Sequence, residues 1–468
     1  MLMELRIDRQ AMVPVVQQIV DGLTGWILQN DVPPTTRLPS VRQIARDNLL
    51  SQSCVVEACE RLVSQGVLSA RQGAGFIVAA TPSLLSVEDE SGLLESQQAR
   101  CGAVCGGPRG LKLGSGGLPQ SWREPDDLSY ALREVARTDM ASLFDYSSPL
   151  GLPALREQIA RRLKLFDIEA RSTQLMSTNG ASHALDLIVR TLFKAGDCVV
   201  VETPGYPGLF DLLRLHGLRM LEVRRTPSGP DVEALEALLR QYRPRALFVN
   251  SHHHNPTGSC LTLAIAQRLV QLSKTYDVRL IEDDVYADLH TGNGTRLAAL
   301  DDEGRVIYVG SFSKTLSSSL RVGFVLADRE LLVRLAQVKM ISGLGGSGFS
   351  EAVLASLMAS GAYRKLVQRQ RQRLNADRAA ALQALEDANW QVFGKPTGGL
   401  FIWARAPLAD PVRVRTQAQR SGVLLAAPEA FSPSGETSDW HRINIAFACD
   451  PRARQFFRNT GVDRPPVF

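Results

Sequence analysis

The sequence predicts an α/β protein: a large domain built on a mostly parallel sheet with helices on both faces, preceded by a small winged helix-turn-helix domain. Three observations carry this. From about residue 112 to 468, short apolar runs alternate with amphipathic stretches, the pattern of strands buried on both faces and joined by helices. Residues 1–78 set three helical segments ahead of a strand–turn–strand. Between the two, residues 79–111 are rich in Ser, Gly and small polar residues and carry the acidic cluster Glu88, Asp89 and Glu90, which reads as a flexible linker.

The first helix is expected within 12–29, where Val15, Val16, Ile19, Val20, Leu23 and Ile27 follow helical spacing before the Pro-rich turn VPPTTRLP stops it. Ser40 with Gln43 three residues on is a capping-box signature for a second helix, VRQIARD. The turn NLLSQ leads to a third helix at about 53–64. GVLSARQGAGFIVA then reads as two short strands, with Gly73 and Gly75 suited to the tight turn between them. In the large part, CVVVE (198–202), ALFVN (246–250), VRLIED (278–283) and RVIYVG (305–310) read as buried strands. The stretch LTLAIAQRLVQLSKTY reads as a helix between two of them.

Composition narrows the function classes. The 468 residues are 44% hydrophobic and 22% charged, which excludes a disordered or collagen-like chain. No run reaches the roughly 18 apolar residues of a membrane span. The first twenty residues lack the pattern of a signal peptide, so a cytoplasmic protein without a membrane partner is expected. Lys and Arg outnumber Asp and Glu by 53 to 48, a net charge of +5 that permits a nucleic-acid partner without arguing for one. Seven scattered cysteines argue against a disulfide framework. Cys101 and Cys105 have no second Cys/His pair beside them and are expected to be free thiols in a loop.

Three helices and a β-wing in this order form a winged helix-turn-helix, whose third helix would enter the major groove. The blocks RLPSVRQIA, CVVEACERL and GVLSARQGAGFIV resemble the GntR-type DNA-binding domain over nearly all of 1–78. The resemblance implies that Arg42 contacts DNA, that Gln52, Ser53 and Cys54 open the recognition helix, and that Arg71 and Gly73 form the wing. The family usually has Arg where Gln52 stands, Thr at Cys54 and Tyr at Cys59, so its base preference does not carry over. Residues 1–80 hold seven Arg, no Lys and seven acids. DNA binding therefore depends on Arg37, Arg42, Arg46 and Arg71 sharing one face.

The sharpest motif of the large part is GSFSKTLSSSLRVGF (310–324), where Lys314 follows a buried strand in a Ser-rich turn and Arg321 stands seven residues later. A lysine that forms an imine needs partial desolvation and nearby phosphate donors, and Ser311, Ser313 and Arg321 supply such donors. VRLIEDDVYADL puts Asp283 and Asp284 at a strand end, with Tyr286 three residues after Asp283. A carboxylate facing a pyridine nitrogen keeps that nitrogen protonated. HHHNPTG puts Asn255 at another strand end, where its amide and the Tyr286 hydroxyl can reach a ring oxygen. STNGASHALDL has Gly180, Ala181 and Ser182 opening a helix, a ready anion site. Tyr206, in TPGYPG, offers a face for stacking.

These spacings resemble fold-type I pyridoxal 5′-phosphate-dependent aminotransferases across roughly 112–468. The resemblance implies Lys314 as the internal aldimine, Asp283 as partner of the pyridine nitrogen, Asn255 and Tyr286 at the ring oxygen, and Tyr206 stacked on the ring. It gives the phosphate to Gly180, Ala181, Ser182, Ser311 and Arg321, with Tyr146 reaching it from the neighbouring subunit. It gives a substrate or effector carboxylate to Arg442, in HRINIAF. Ala181 stands where Ser is frequent in that family. The consecutive His252, His253 and His254 are read as lying along a strand, where neighbours point to opposite faces. They are expected to line the strand end beside the cofactor rather than to hold a metal.

A winged helix joined by a linker to an aminotransferase-like domain resembles the MocR-like branch of GntR-type regulators. That resemblance implies a transcription regulator that binds promoter half-sites as a head-to-tail homodimer. Its large domain would sense pyridoxal 5′-phosphate or an amino-compound effector. A working aminotransferase carrying a DNA-binding domain stays open as the alternative, because sensing and turnover begin with the same chemistry.

Overall fold

The computed structural model describes residues 5, 7, 14–30, 32–33, 35–64, 66–71, 75–79, 110–122, 125–138, 144–292, 294–408 and 410–461. The chain divides into two compact units, with the division at residues 94 and 95. Most of the segment read as linker, with Cys101 and Cys105, lies outside the described residues, as do Gly73 and the side chain of Arg71. At the edges of that segment, the Ala79 amide donates to the Val67 carbonyl and Leu111 pairs with Val423.

The first unit contains α1 (Val15–Gln29), α2 (Val41–Asp47), α3 (Gln52–Ser64), β1 (Leu68–Arg71) and β2 (Gly75–Val78). Ser40 caps α2 by accepting from the Gln43 amide, which supplies a partner for one of the free N–H groups of the first turn. The apolar faces close on one another: Ile19, Leu23, Val55, Ala58, Cys59 and Leu62 are all fully buried. β1 and β2 pair antiparallel, Leu68 opposite Val78, and seal that core with both residues.

In the second unit the main sheet comprises β3 (Leu175–Thr178), β4 (Cys198–Thr203), β5 (Arg219–Thr226), β6 (Gly229–Pro230), β7 (Ala246–Asn250), β8 (Arg279–Asp283), β9 (Val306–Ser311) and β10 (Gly323–Leu326). Their order is β3-β10-β9-β8-β7-β4-β5-β6. The run from β9 to β5 is parallel, while β10 lies antiparallel between β9 and β3. All four strands read from the sequence stand in this parallel run.

Alternation along each strand sends side chains to both faces. Val199 and Val201 pack with α4 (Ala181–Leu192) on one face, through Leu185 and Ile188. Val200 packs on the other face with α5 (Leu263–Tyr276), through Leu269 and Leu272. Burial on both faces is why these strands read as unbroken apolar runs. A second, antiparallel sheet of β11 (Gln391–Val392), β12 (Phe401–Arg405) and β13 (Trp440–Asn444) brings Arg442 into the molecule. No helix among the described residues is long and apolar enough to cross a membrane.

Candidate functional site

Parallel strands deliver their carboxyl ends to one edge of the sheet, and a crevice forms there. β7 ends at Asn250, β8 at Asp283 and β9 at Ser311. Beyond these ends a cavity of about 200 Å³ is lined by Ala181, Ser182, Tyr206, Asn255, Asp283, Tyr286, Ser311, Ser313, Lys314 and Arg321, together with Leu185, Asn250 and Val285. Ten residues singled out from separate stretches of sequence thus share one cleft.

One end of the cleft is arranged for an anion. Gly180, at φ +85°, caps α4 and leaves the first amides of the helix without a side-chain cap. A Cβ on Gly180 would stand 2.5 Å from Arg321 Nη2, so only glycine admits the guanidinium here. Arg321, itself at φ +52°, donates to the Asn179 carbonyl at 3.1 Å and to Ser313 Oγ at 3.4 Å. Helix amides, a guanidinium and the Ser311 and Ser313 hydroxyls are the donors a phosphate takes.

The floor is acidic. Burial and the adjacent Asp284 push the Asp283 carboxyl up to about 7, and Asp283 Oδ1 is buried without a hydrogen-bond partner. Asp284 points away from the cleft. Burial alone would raise its carboxyl, but His252 and Arg296 outweigh that and hold it well below the ordinary range. Of the two, Asp283 lines the cleft and Asp284 does not.

Lys314 is half-buried and donates to the Gly116 carbonyl at 3.0 Å. Burial, followed by Arg442 nearby, brings its ammonium down to about 8. Arg442 is buried and donates to the Gly114 carbonyl at 2.8 Å and to Asn255 Oδ1 at 2.8 Å. Its guanidinium lies 4.8 Å from the ring centres of both Phe401 and Phe431, and burial lowers it to about 10. Tyr286 is buried edge-on to Phe401, and that burial pushes its phenol up.

Some expected residues lie elsewhere. Tyr146 is 85% exposed and does not line the cleft of its own chain. The three histidines follow β7 in a turn rather than lying along a strand, so the alternating-face argument does not apply to them. None of them lines the main cavity, but His254 lines an adjoining hollow with Tyr206, Asn255 and Asp283; His252 meets Asp284 and His254 meets Thr257, each through Nδ1, while His253 Nε2 meets His290. In the first unit, Arg37, Arg42, Arg46, Gln52 and Ser53 are exposed, and Ser51 Oγ accepts from the Cys54 amide where α3 begins.

Sequence reading missed Asn250, whose Nδ2 donates to the Asp283 carbonyl at 2.7 Å and whose Oδ1 accepts from the Asn255 amide at 2.9 Å. It also missed the Gly114 and Gly116 carbonyls. The glycine-rich run LGSGGLP was the signal available for these, since close backbone approach needs residues without a Cβ.

Two families match the chain: Aminotransferase class I and II over residues 108–453, and Bacterial regulatory proteins, gntR family, over 15–78. The uncharacterized HTH-type transcriptional regulator YisV of Bacillus subtilis is 30% identical over 85% of each chain. The probable rhizopine catabolism regulatory protein MocR of Rhizobium meliloti is 30% identical over 90% of this chain and 87% of its own. Among solved structures, the α-aminoadipate aminotransferase LysN of Thermus thermophilus, complexed with N-(5′-phosphopyridoxyl)-L-leucine, superposes with a TM-score of 0.69. It is 27% identical, covering 76% of this chain and 92% of its own.

Proposed function

The chain belongs to the aminotransferase class I and II family and carries a gntR-family regulatory domain ahead of it, the arrangement of GntR-type regulators with an aminotransferase-like domain, and from that premise we propose that it is a transcription regulator whose promoter binding responds to pyridoxal 5′-phosphate and to an amino compound that joins it. The observation that carries this reading is the convergence of Lys314, Asp283 and the Ser311–Ser313–Arg321 donors on one cleft, in the same chain as a DNA reader. Such a protein acts in the cytoplasm, on double-stranded DNA.

The cleft fits the cofactor. Asp283 Oδ1 is a buried acceptor with no partner, and a protonated ring nitrogen is a donor that satisfies it. Bound pyridoxal phosphate supplies an aldehyde that condenses with amines and a protonated ring that withdraws electrons. Lys314, lowered to about 8, keeps a usable share of neutral amine at neutral pH and would carry the cofactor. Asp283 would hold the proton at the ring nitrogen. Asn255 and Tyr286 would bond the ring oxygen, and Tyr206 would cover the ring face. Gly180, Ala181, Ser182, Ser311, Ser313 and Arg321 would hold the phosphate. Arg442 would take an effector carboxylate, exchanging its present partners for a charged one.

The exposure of Tyr146 supports a head-to-tail homodimer in which this side chain serves the partner's phosphate. Two reader domains on paired half-sites multiply specificity. An effector that binds one dimer arrangement better than another shifts the readers by that difference in affinity.

The test is a footprint of the purified protein on DNA upstream of its own gene and its neighbours, at stated salt, with and without pyridoxal phosphate. Paired half-sites whose protection sharpens or moves with cofactor are the expected result. Identical footprints in both states would remove the coupling. The retained Lys314, Asp283 and Arg442 favour one second reading, a working aminotransferase. Conversion of bound cofactor to its amine form by common amino acids at a useful rate, with no specific footprint, would establish it.

A further inference from the structure

Behind the cleft floor lies a cluster of nitrogen and sulfur donors to which the proposed function gives no role. His253 follows β7, Cys260 precedes α5, and His290 follows the turn after β8. The turns at the strand ends bring them together: one donor atom from each lies within 4.8 Å of the others. His253 Nδ1 stands 3.6 Å from Cys260 Sγ, and His253 Nε2 stands 3.2 Å from His290 Nδ1.

We propose that His253, Cys260 and His290 bind a divalent transition-metal ion of the zinc class through two imidazole nitrogens and one thiolate. In a tetrahedral site with metal–nitrogen bonds of about 2.0–2.1 Å and a metal–sulfur bond of about 2.3 Å, donor atoms stand about 3.3–3.6 Å apart. Both measured pairs are near that spacing. One ion takes a single nitrogen of His253, so the third donor closes the remaining distance by rotation of its side chain.

The surroundings favour an ion over a plain hydrogen-bonded cluster. His252 Nδ1 faces the ionised Asp284 at 3.2 Å and donates to it, so His252 Nε2 is the ring nitrogen left to partner. That atom is buried and has no hydrogen-bond partner, and its ring centre lies 4.8 Å from that of His290. A water on the ion's open fourth position gives it one. The backbone is also shaped around His253. It sits at φ +49°, uncommon for a residue with a Cβ, and a Cβ on Gly399 would stand 2.4 Å from its own Cβ. Burial raises the Cys260 thiol, which argues against a reactive cysteine. Binding the ion ionises that thiol and releases its proton.

The test uses full-length, untagged protein with Cys101→Ser and Cys105→Ser, stripped with a chelator and titrated with cobalt(II). One equivalent per chain is expected, with an intense near-ultraviolet thiolate-to-cobalt band and the strong visible bands of four-coordinate cobalt. Zinc should bleach both. Cys260→Ser should abolish the near-ultraviolet band while keeping pyridoxal phosphate binding, and His290→Gln should weaken cobalt binding by at least about tenfold. Absence of the band, or its survival in Cys260→Ser, would overturn the site. If Cys260→Ser fails to fold, X-ray absorption of the zinc-loaded parent decides: one sulfur in the shell supports the site, and an all-nitrogen and oxygen shell removes it.

Discussion

Asp283 and Asp284 are neighbours in the chain with opposite surroundings. Asp284 accepts from Arg296 at 2.7 Å, Tyr308 at 3.0 Å and His252 at 3.2 Å. Asp283 presents a buried Oδ1 with no such partner to the cleft. β8 ends at Asp283, so the split falls at the strand's end: the Asp283 carboxyl faces the crevice, and the Asp284 carboxyl meets Arg296, Tyr308 and His252 instead.

Removing the two carboxylates should therefore have different consequences. Asp284→Asn breaks the buried ion pair with Arg296, which should cost about 3–5 kcal/mol in chemical denaturation. Asp283→Asn should leave a folded protein that holds pyridoxal phosphate weakly. The Asp283 carboxyl is raised from the ordinary range to about 7. Its contribution to the stability of the cofactor-free protein is thus full below about pH 4 and lost as pH rises through 7. Between pH 5 and 8 the parent should lose stability relative to Asp283→Asn, on the order of a few kcal/mol. Parallel pH profiles for the two proteins would contradict this.

Lys314 is lowered to about 8, so its neutral amine becomes the major form above that pH rather than above the ordinary lysine range. The rate at which cofactor-free protein takes up pyridoxal phosphate, followed by absorbance, should rise with a midpoint near 8. Asp283 raises the Lys314 ammonium, so Asp283→Asn should move the midpoint to lower pH. Folded Lys314 sheds its proton earlier than in the unfolded chain. Its unfavourable contribution should therefore fade as pH rises from about 8 towards the ordinary lysine value. A midpoint near the ordinary lysine value, about 10, would mean that the amine is not desolvated.

Much of this was legible because period and chemistry coincide. β4, β7, β8 and β9 read as strands since both faces are buried, and the residues just past their ends carry the site. β10 was not legible: Gly323–Leu326 is short, antiparallel and continuous with the Lys314 motif, so its apolar residues read as the end of that motif. Asn250 was hidden for a different reason. It closes an apolar run and works through contacts to Asp283 and Asn255, which lie at different distances along the chain. The histidines were misplaced by one structural boundary, since β7 stops at Asn250 and a turn sets their directions.

Arg442 donates to Asn255, the residue proposed for the ring oxygen, and lies close to the rings of both Phe401 and Phe431. Arg442→Lys keeps a charge but loses the planar fork that pairs with a carboxylate. The variant should still take up pyridoxal phosphate. Its affinity for an α-amino acid effector should fall by roughly 10- to 100-fold, the equivalent of one charge-assisted pair. Affinity for the corresponding amine without a carboxylate should stay within about twofold of the parent. Equal losses for both, by titration of the cofactor absorbance, would place Arg442 in the scaffold alone.

In the reader domain Arg42 is exposed on α2, and Gln52 is exposed at the first turn of α3. If Arg42 neutralises one phosphate, Arg42→Ala should weaken binding across specific and unrelated DNA alike. It should also reduce the slope of log affinity against log salt by about 1. Gln52→Ala should act differently. If Gln52 reads a base edge, its loss should cost about 1–3 kcal/mol on the footprinted site and little on unrelated DNA. The salt slope should stay unchanged. Titrations at several salt concentrations with both DNAs separate the two effects, and a slope change in Gln52→Ala would reverse the assignment.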